Sequence, residues 1–354
     1  MALREVERSE LCDPHAAPGE NGSQFRRVIC VRAFPRVHVG LLDLGDVTPR
    51  RNGGAGFALA GPTLEISADE ADALHVDGLH QLDERAGREV REALAGFEEV
   101  TGPLGARLTI ERALPAHVGL GSKTALLLAI LQAASSIARR PLDMATLQRL
   151  SGRGGTSGVG INTFFRGGFV TDGGGPAAPG RPHGPSSASR PDRVPPVLCR
   201  LDIPADWRFT LLVHPSHRIA DEGEQRLFVE STPVPEREVL RAIAVMYHGI
   251  AAAVATADLG LLGAALAELH CLGFKGRELA AQPRSIRDLY QRVRELPGSV
   301  VGLSSVGPLL YVISSAADPG VANASQSMAR DCGFSCLGTF EPRNAGFELV
   351  AGSC

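Results

Sequence analysis

Residues 115–124 read Pro115-Ala116-His117-Val118-Gly119-Leu120-Gly121-Ser122-Lys123-Thr124 and run directly into a strongly apolar stretch. That stretch predicts a buried helix over Lys123–Arg139. A glycine-rich turn ahead of a helix lets backbone N–H groups approach an anion, and the helix dipole favours negative charge there. Lys123 adds a cation where the macrodipole is already positive, which makes good sense if a phosphate sits between the two positive centres. The spacing is not that of a Walker A loop, because Ser122 separates Gly121 from Lys123. For this segment alone, an ordinary Gly/Ser helix cap with an exposed lysine weighs about as much as anion binding.

Downstream, Gly152-Arg153-Gly154-Gly155-Thr156-Ser157-Gly158-Val159-Gly160 packs five glycines into nine residues. Such a cost in backbone entropy goes with sharp turns or close ligand approach. Arg153 supplies a fork suited to phosphate oxygens, and Thr156 and Ser157 supply hydroxyls. The segment continues into Gly167-Gly168-Phe169-Val170-Thr171-Asp172-Gly173-Gly174-Gly175, where Asp172 follows a short apolar strand. Asp172 is a candidate for a metal or a sugar hydroxyl, and equally for a turn. A third small-residue turn, Gly302-Leu303-Ser304-Ser305-Val306-Gly307-Pro308, lies between two strands and by itself reads as a hairpin turn. Upstream, Arg36-Val37-His38-Val39-Gly40-Leu41-Leu42-Asp43 leads to Arg50, Arg51, Asn52 and Gly53-Gly54-Ala55-Gly56, with polar side chains placed to face a pocket.

Around these motifs the chain reads as a large globular unit. Its 354 residues, 44% hydrophobic and 21% charged, are enough for one large domain or two intimately packed ones. A net charge of −3 and 5% aromatic residues leave no footprint for a nucleic-acid partner. The longest apolar run, Ala125 to Ala134, is too short to span a bilayer, so no membrane is expected. Seven scattered cysteines without a C-x-x-C pair read as reduced thiols of a cytoplasmic protein. Residues 1–24 read as a polar leader, 25–175 as an N-terminal domain bearing the glycine-rich loops, 176–196 as a Pro/Gly/Ser-rich loop or lid, and 197–354 as a C-terminal domain. Strands are expected at Val28–Phe34, Thr63–Ala68, Arg107–Glu111, Phe209–His214, Gly298–Leu303 and Leu309–Ser314. Helices are expected over Leu82–Thr101, Glu236–Ala257 and Leu259–Leu269. No regular element is expected between Gly173 and Pro196. Without strict βαβ alternation the class is α+β.

The order of motifs, R-x-H-x-x-L-x-D at Arg36–Asp43, G-G-x-G at Gly53–Gly56, P-x-x-x-G-L-G-S at Pro115–Ser122 and G-x-S-S-x-G-P at Gly302–Pro308, resembles the kinases of galactose, homoserine, mevalonate and phosphomevalonate. More closely, Gly152–Gly158, Gly167-Gly168-Phe169, Asp172-Gly173-Gly174 and Gly273-Phe274-Lys275 with Glu278 and Gln282 resemble β-ribofuranosylaminobenzene 5′-phosphate synthase, a non-kinase member. The resemblance implies the kinase fold, with two packed α/β subdomains, a homodimer, and a decarboxylating C-ribosyl transfer. Its substrates would be phosphoribosyl pyrophosphate and an aromatic carboxylic acid, with Mg²⁺ and without ATP or an organic cofactor. On these grounds Gly119, Gly121, Ser122, Lys123 and Thr124 are assigned to one phosphate group. Arg153, Gly154, Gly155, Thr156 and Ser157 are assigned to the other phosphorylated end or the acceptor carboxylate, Ser304 and Ser305 to substrate, and Asp172 to the metal. Arg36, His38, Asp43, Lys123 and Lys275 are assigned to the reacting centre. Lys123 stands where the family has a glycine, Ala125 replaces a glutamine, Asn52 replaces an acid, and Gly175 ends a D-G-G-H motif. These departures point from 4-aminobenzoate towards an aminopyrazole carboxylic acid, as in C-nucleoside antibiotics of the formycin and pyrazofurin type. The alternatives are a 4-aminobenzoate-using synthase, an ATP-dependent kinase on the same fold and a non-catalytic binding protein.

Overall fold

A computed structural model describes residues 28–178, 180–185, 193–215, 222–352 and 354. The expected leader over 1–24 lies outside these residues. The first half contains β1 (Val28–Ala33), β2 (Arg36–Asp43), β3 (Arg50–Ala58), β4 (Leu64–Glu70), β5 (His75–Asp77), α1 (Glu84–Thr101), β6 (Ala106–Arg112), α2 (Ser122–Ile137), α3 (Met144–Ser151), α4 (Val159–Arg166) and β7 (Phe169–Asp172). The second half contains β8 (Gly175–Pro176), β9 (Val197–Leu201), β10 (Trp207–Val213), α5 (Glu222–Ser231), α6 (Glu236–Ala244), α7 (Ala252–Thr256), α8 (Leu259–Leu269), α9 (Gly273–Ala280), α10 (Arg284–Arg294), β11 (Val300–Leu303), β12 (Leu309–Ser315), α11 (Pro319–Asp331), β13 (Ser335–Phe340) and β14 (Glu348–Ala351). A π-helical stretch, Val245–Ala251, joins α6 to α7 in one continuous helix.

Three sheets result. The first runs β14-β1-β4-β6-β5, the second β2-β3-β7-β9 with β8 paired to β3, and the third β11-β12-β10-β13. The helix α2 is apolar on nearly every side and is buried along almost its whole length between the first sheet and α1, α3 and α4. Asp83 caps α1 by accepting the Ala86 N–H, and Asp143 caps α3 through the Thr146 N–H. A second core lies between the second and third sheets and the helices α6–α8. There Phe57 of β3 meets Phe169 of β7 at 4.8 Å and Phe209 of β10 at 5.6 Å between ring centroids. The far face of the third sheet packs on α10 and α11.

The expected strands and helices all form, with ends shifted by a few residues. Three expectations change. The stretch 173–196 carries one short element, β8, because Arg51↔Gly175 and Arg50↔Pro176 pair across to β3. The proposed division after residue 196 is not a division between sheets: β9 completes the second sheet beside β7, and β14 pairs with β1 in the first. Nor are all cysteines reduced, since that same pairing of β1 and β14 brings Cys30 and Cys354 together as a disulfide with a Cα–Cα distance of 5.1 Å. The reduced-thiol argument for a cytoplasmic protein loses its support. One helix, Glu236–Thr256, is long and apolar enough to cross a membrane by composition, but 44% of its apolar window is buried inside the fold.

Because the Phe57 cluster is shared by both halves of the chain, truncating it should weaken them together. Phe57→Ala is expected to cost about 3–5 kcal/mol and to move a single urea transition to lower denaturant, followed by circular dichroism. Two separated transitions would show that the halves unfold independently.

Candidate active site: a cleft of three chambers

In β2, side chains alternate between faces, so Val37 and Val39 enter the core while Arg36 and His38 point the other way. They meet the glycine turn ahead of α2, and the two are locked to the turn between β11 and β12 through one hydroxyl. Ser304 donates to the Gly119 carbonyl at 2.7 Å and accepts the His38 backbone N–H at 2.9 Å. The Ser305 N–H donates in turn to the His38 carbonyl at 3.3 Å. A Cβ on Gly119, which sits at φ +105°, would lie 2.5 Å from the Ser304 carbonyl oxygen, so the turns can touch only if that residue is glycine.

Three contiguous chambers open along this junction. The first, about 470 Å³, is lined by the glycine turn and Lys123 together with apolar residues including Leu64, Leu82, Leu114 and Leu126. The second, a waist of about 210 Å³, is bordered by Arg36, His38, Arg153, Ser157, Glu278 and Ser305. The third, about 650 Å³, is bounded by Arg50–Asn52, Gly154–Thr156, Gly174–Pro176, Arg181, His183 and Arg193. Arg36, Gly119, Thr124 and Arg153 border both the first chamber and the waist, whereas Gly154 and Thr156 border both the waist and the third chamber.

Two arginines dominate the waist. Arg36 donates to the Gly119 carbonyl at 2.6 Å, but its buried Nε has no hydrogen-bond partner. Burial, and then the neighbouring charge of Arg153, bring the Arg36 pKa down to about 10. Arg153 donates to Thr124 Oγ1 at 3.2 Å, and its own pKa is lowered chiefly by burial. Burial, then Arg36 and Lys275, push His38 well below the usual histidine range, so it is neutral. Its Nε2 lies 3.4 Å from Ser157 Oγ, which donates to Asp172 Oδ2 at 2.8 Å. With the serine proton directed at the carboxylate, the remaining polarity has His38 Nε2 as the donor.

Several expected site residues have other work. Asp43 does not line the cleft: its carboxylate accepts the N–H groups of Gly45, Val47 and Thr48 and shapes the β2–β3 connection. Lys275 is 1% exposed and is consumed by the Leu303 carbonyl at 3.0 Å and by Glu278. With His270, which accepts the Leu303 N–H, and Gln282, which donates to the Val306 carbonyl, it clamps the third turn from behind. Burial, then Lys275, bring His270 down to about 3. Ser304 is wholly buried, and its hydroxyl is engaged by the Gly119 carbonyl and the His38 N–H. Lys123 does face the first chamber, paired with Glu89 of α1 at 3.1 Å. Gly121, Ser122 and Thr124 border the same chamber, and Gly155 the third.

Asp172 does not fit a magnesium ligand. It is fully buried, and both oxygens accept hydrogen bonds, from Ser157, Gly158 N–H and Gly174 N–H. Among the described residues no group of three or more His, Cys, Asp or Glu side chains could hold a metal. The sequence reading missed Glu224 of α5, which borders the first chamber and the waist, and Glu89. Neither lies in a motif, and only the tertiary packing of α5 and α1 brings them there.

These three turns meeting at one cleft define a class. Residues 88–168 match the model of the GHMP kinases N terminal domain. The chain superposes on homoserine kinase from Cytophaga hutchinsonii with a TM-score of 0.64 at 15% identity, covering 94% of this chain and 100% of that one. It also superposes on phosphomevalonate kinase from Streptococcus pneumoniae with a TM-score of 0.66 at 12% identity, covering 90% and 100%. The fold is therefore that of the GHMP kinases. In sequence the chain is 33% identical over 321 residues to β-ribofuranosylphenol 5′-phosphate synthase of Archaeoglobus fulgidus, covering 90% of this chain and 98% of that one. It is 34% identical over 288 residues to the Methanocaldococcus jannaschii enzyme of the same name, covering 78% and 86%. The chain belongs to the β-ribofuranosylphenol 5′-phosphate synthase family and is an enzyme. The relatives' name carries a phenol where the sequence motifs implied an aminobenzene.

Two measurements probe this geometry. Ser304→Ala should cost about 1–3 kcal/mol by leaving the His38 N–H unpaired and the Gly119 carbonyl with Arg36 as its remaining donor; a melting temperature equal to wild type would refute the bridge. Burial raises the Asp172 pKa to about 6, above the ordinary value near 4, so the folded state binds the proton more tightly. That contribution is complete below about pH 4 and is lost as pH rises through about 6, amounting to about 3 kcal/mol. Stability profiles of wild type and Asp172→Asn should diverge across that window and run parallel above it.

Proposed function

We propose that the enzyme joins phosphoribosyl pyrophosphate to an aromatic carboxylic acid through a C–C bond. The observation that carries this reading is the full-length similarity to synthases named for a ribofuranosyl 5′-phosphate product. The waist supports it, because Arg36 and Arg153 are two half-buried cations whose repulsion an anionic ligand would relieve.

In the reaction the ribose C1–O bond to pyrophosphate breaks and the pyrophosphate takes the electron pair. The ring carbon that bears the carboxylate attacks C1. The bond to the carboxylate then breaks, carbon dioxide leaves, and its electron pair restores aromaticity. Arg36, Arg153 and the glycine turn stabilise the charge collecting on pyrophosphate. His38, neutral and held by Ser157, offers a polar edge at the waist without adding a third cation there. Magnesium belongs with the pyrophosphate of the donor rather than to a protein cage.

The first chamber receives the acceptor ring against its apolar residues. Lys123, fixed by Glu89, places a polar side chain in that chamber where the family's glycine would leave bare backbone. A nitrogen-rich ring has edge donors and acceptors to meet it, so the acceptor is an aminopyrazole carboxylic acid and the product a precursor of a C-nucleoside antibiotic.

Mass detection of a C-riboside 5′-phosphate, with release of carbon dioxide and pyrophosphate, should follow when the enzyme meets the donor and aminopyrazole acids. Absence of these products across aminopyrazole, hydroxybenzoate and aminobenzoate acids, or ATP-dependent phosphorylation of an alcohol instead, would overturn the reading. Arg153→Gln should weaken donor binding at least about tenfold in calorimetry, and Lys123→Ala should alter the ranking of acceptors; an unaltered ranking would remove Lys123 from the acceptor site.

A further inference from the structure

The third chamber differs from the other two in its electrostatics. Asp83 and Glu224 border the first chamber, and Glu224 and Glu278 the waist. The third is lined by Arg50, Arg51, Arg181, Arg193 and His183 and, among the described residues, by no acid. It is also the largest of the three, at about 650 Å³.

Two of its cationic or basic side chains are buried and fixed. Arg51 is 6% exposed and donates to the carbonyls of Ala178 and Arg181 at 3.3 and 2.9 Å. Its Nε forms no hydrogen bond, although Asp46 lies 3.4 Å away. His183 is 8% exposed, sits 3.4 Å from Asn52 Oδ1 through Nδ1, and has Asp46 Oδ2 3.4 Å from its Nε2. Arg50 is occupied by the Gly173 and Gly174 carbonyls and serves as scaffold. Arg181 and Arg193 are exposed, and neither side chain makes a hydrogen bond or ion pair among the described residues. Two guanidiniums are thus available at the rim and two polar groups are held below.

We infer that this chamber binds the 5′-phosphate of the ribosyl donor, so that the donor lies across Gly154 and Thr156 with its pyrophosphate at the waist. The inference rests on the donor reading above and assigns the two ends of that molecule. Three considerations fix the assignment. Leaving group and acceptor both act at C1, so they need neighbouring chambers, and the waist and first chamber share Arg36, Gly119, Thr124 and Arg153. The third chamber adjoins the waist through Gly154 and Thr156 and has no lining residue in common with the first, which suits the remote, non-reacting end. The carboxylate that departs as carbon dioxide is a poor occupant, because a cluster of cations would hold its negative charge and oppose its loss. A phosphate monoester keeps its charge throughout, and arginine forks match its oxygens. Binding energy gathered there is available to orient C1 at the waist.

The test is calorimetric titration of the full-length enzyme with ribose 5-phosphate and, separately, with inorganic pyrophosphate. The double variant Arg181→Gln/Arg193→Gln removes two surface charges without removing a side-chain hydrogen bond or ion pair among the described residues. It should weaken ribose 5-phosphate about tenfold or more and leave pyrophosphate within about twofold. Arg153→Gln should show the opposite pattern. Unchanged ribose 5-phosphate affinity in the double variant, equal weakening of both ligands, or no ribose 5-phosphate binding by wild type would overturn the assignment. Melting temperatures of both variants confirm that the proteins compared are folded. Failure of the transfer reaction with every acceptor would strike the proposed function, whereas the two-ligand pattern reports the chamber alone.

Discussion

The cleft exists because one buried hydroxyl holds two distant strands of sequence together. Ser304 bridges the His38 N–H of β2 and the Gly119 carbonyl ahead of α2, three segments separated by more than eighty residues at each step. Arg36 is tied to the same glycine turn by its own backbone N–H on the Leu120 carbonyl and its guanidinium on the Gly119 carbonyl. The surrounding clamp of Lys275, His270 and Gln282 serves the same end, since each spends its polar group on the backbone of the third turn. The site is thus a joint between motifs first and a ligand pocket second.

That hierarchy explains what the residues alone could and could not disclose. The helix α2 was legible because a long apolar stretch after a glycine turn has few other solutions. Strands β1, β4, β6, β10 and β12 were legible through alternation and β-branched content. The order of the glycine-rich turns carried the fold. What stayed hidden was partnership. Asp43 and Asp172 look like site acids in sequence, yet both are consumed by backbone N–H groups close by in the chain. A one-dimensional pattern records that a carboxylate is present and not whether its lone pairs are already taken. The contacts of Lys275 with Glu278 and the Leu303 carbonyl were hidden for the same reason, as was the link of Cys30 to Cys354, which depends on β14 returning to the first sheet.

The division of charge along the cleft has its own logic. At the waist, the cations are half-buried and acids stand nearby, so the positive field there is balanced. Around the third chamber no acid stands among the described lining residues, and Arg181 and Arg193 reach the surface. A ligand with two anionic ends of unequal fate, one leaving and one staying, meets two environments of different character. The GHMP fold supplies the joint, and the side chains placed around it decide which chemistry the joint supports.

The link between Cys30 and Cys354 closes a sequence separation of 324 residues into a single covalent loop. Every chamber of the cleft, and all three sheets, lie on that loop. A single cut in the backbone anywhere inside it would leave one molecule rather than two fragments, and only the addition of a reductant would release the pieces. Integrity of the chain and integrity of the molecule are therefore separate properties in this protein, and electrophoresis with and without thiol would tell them apart.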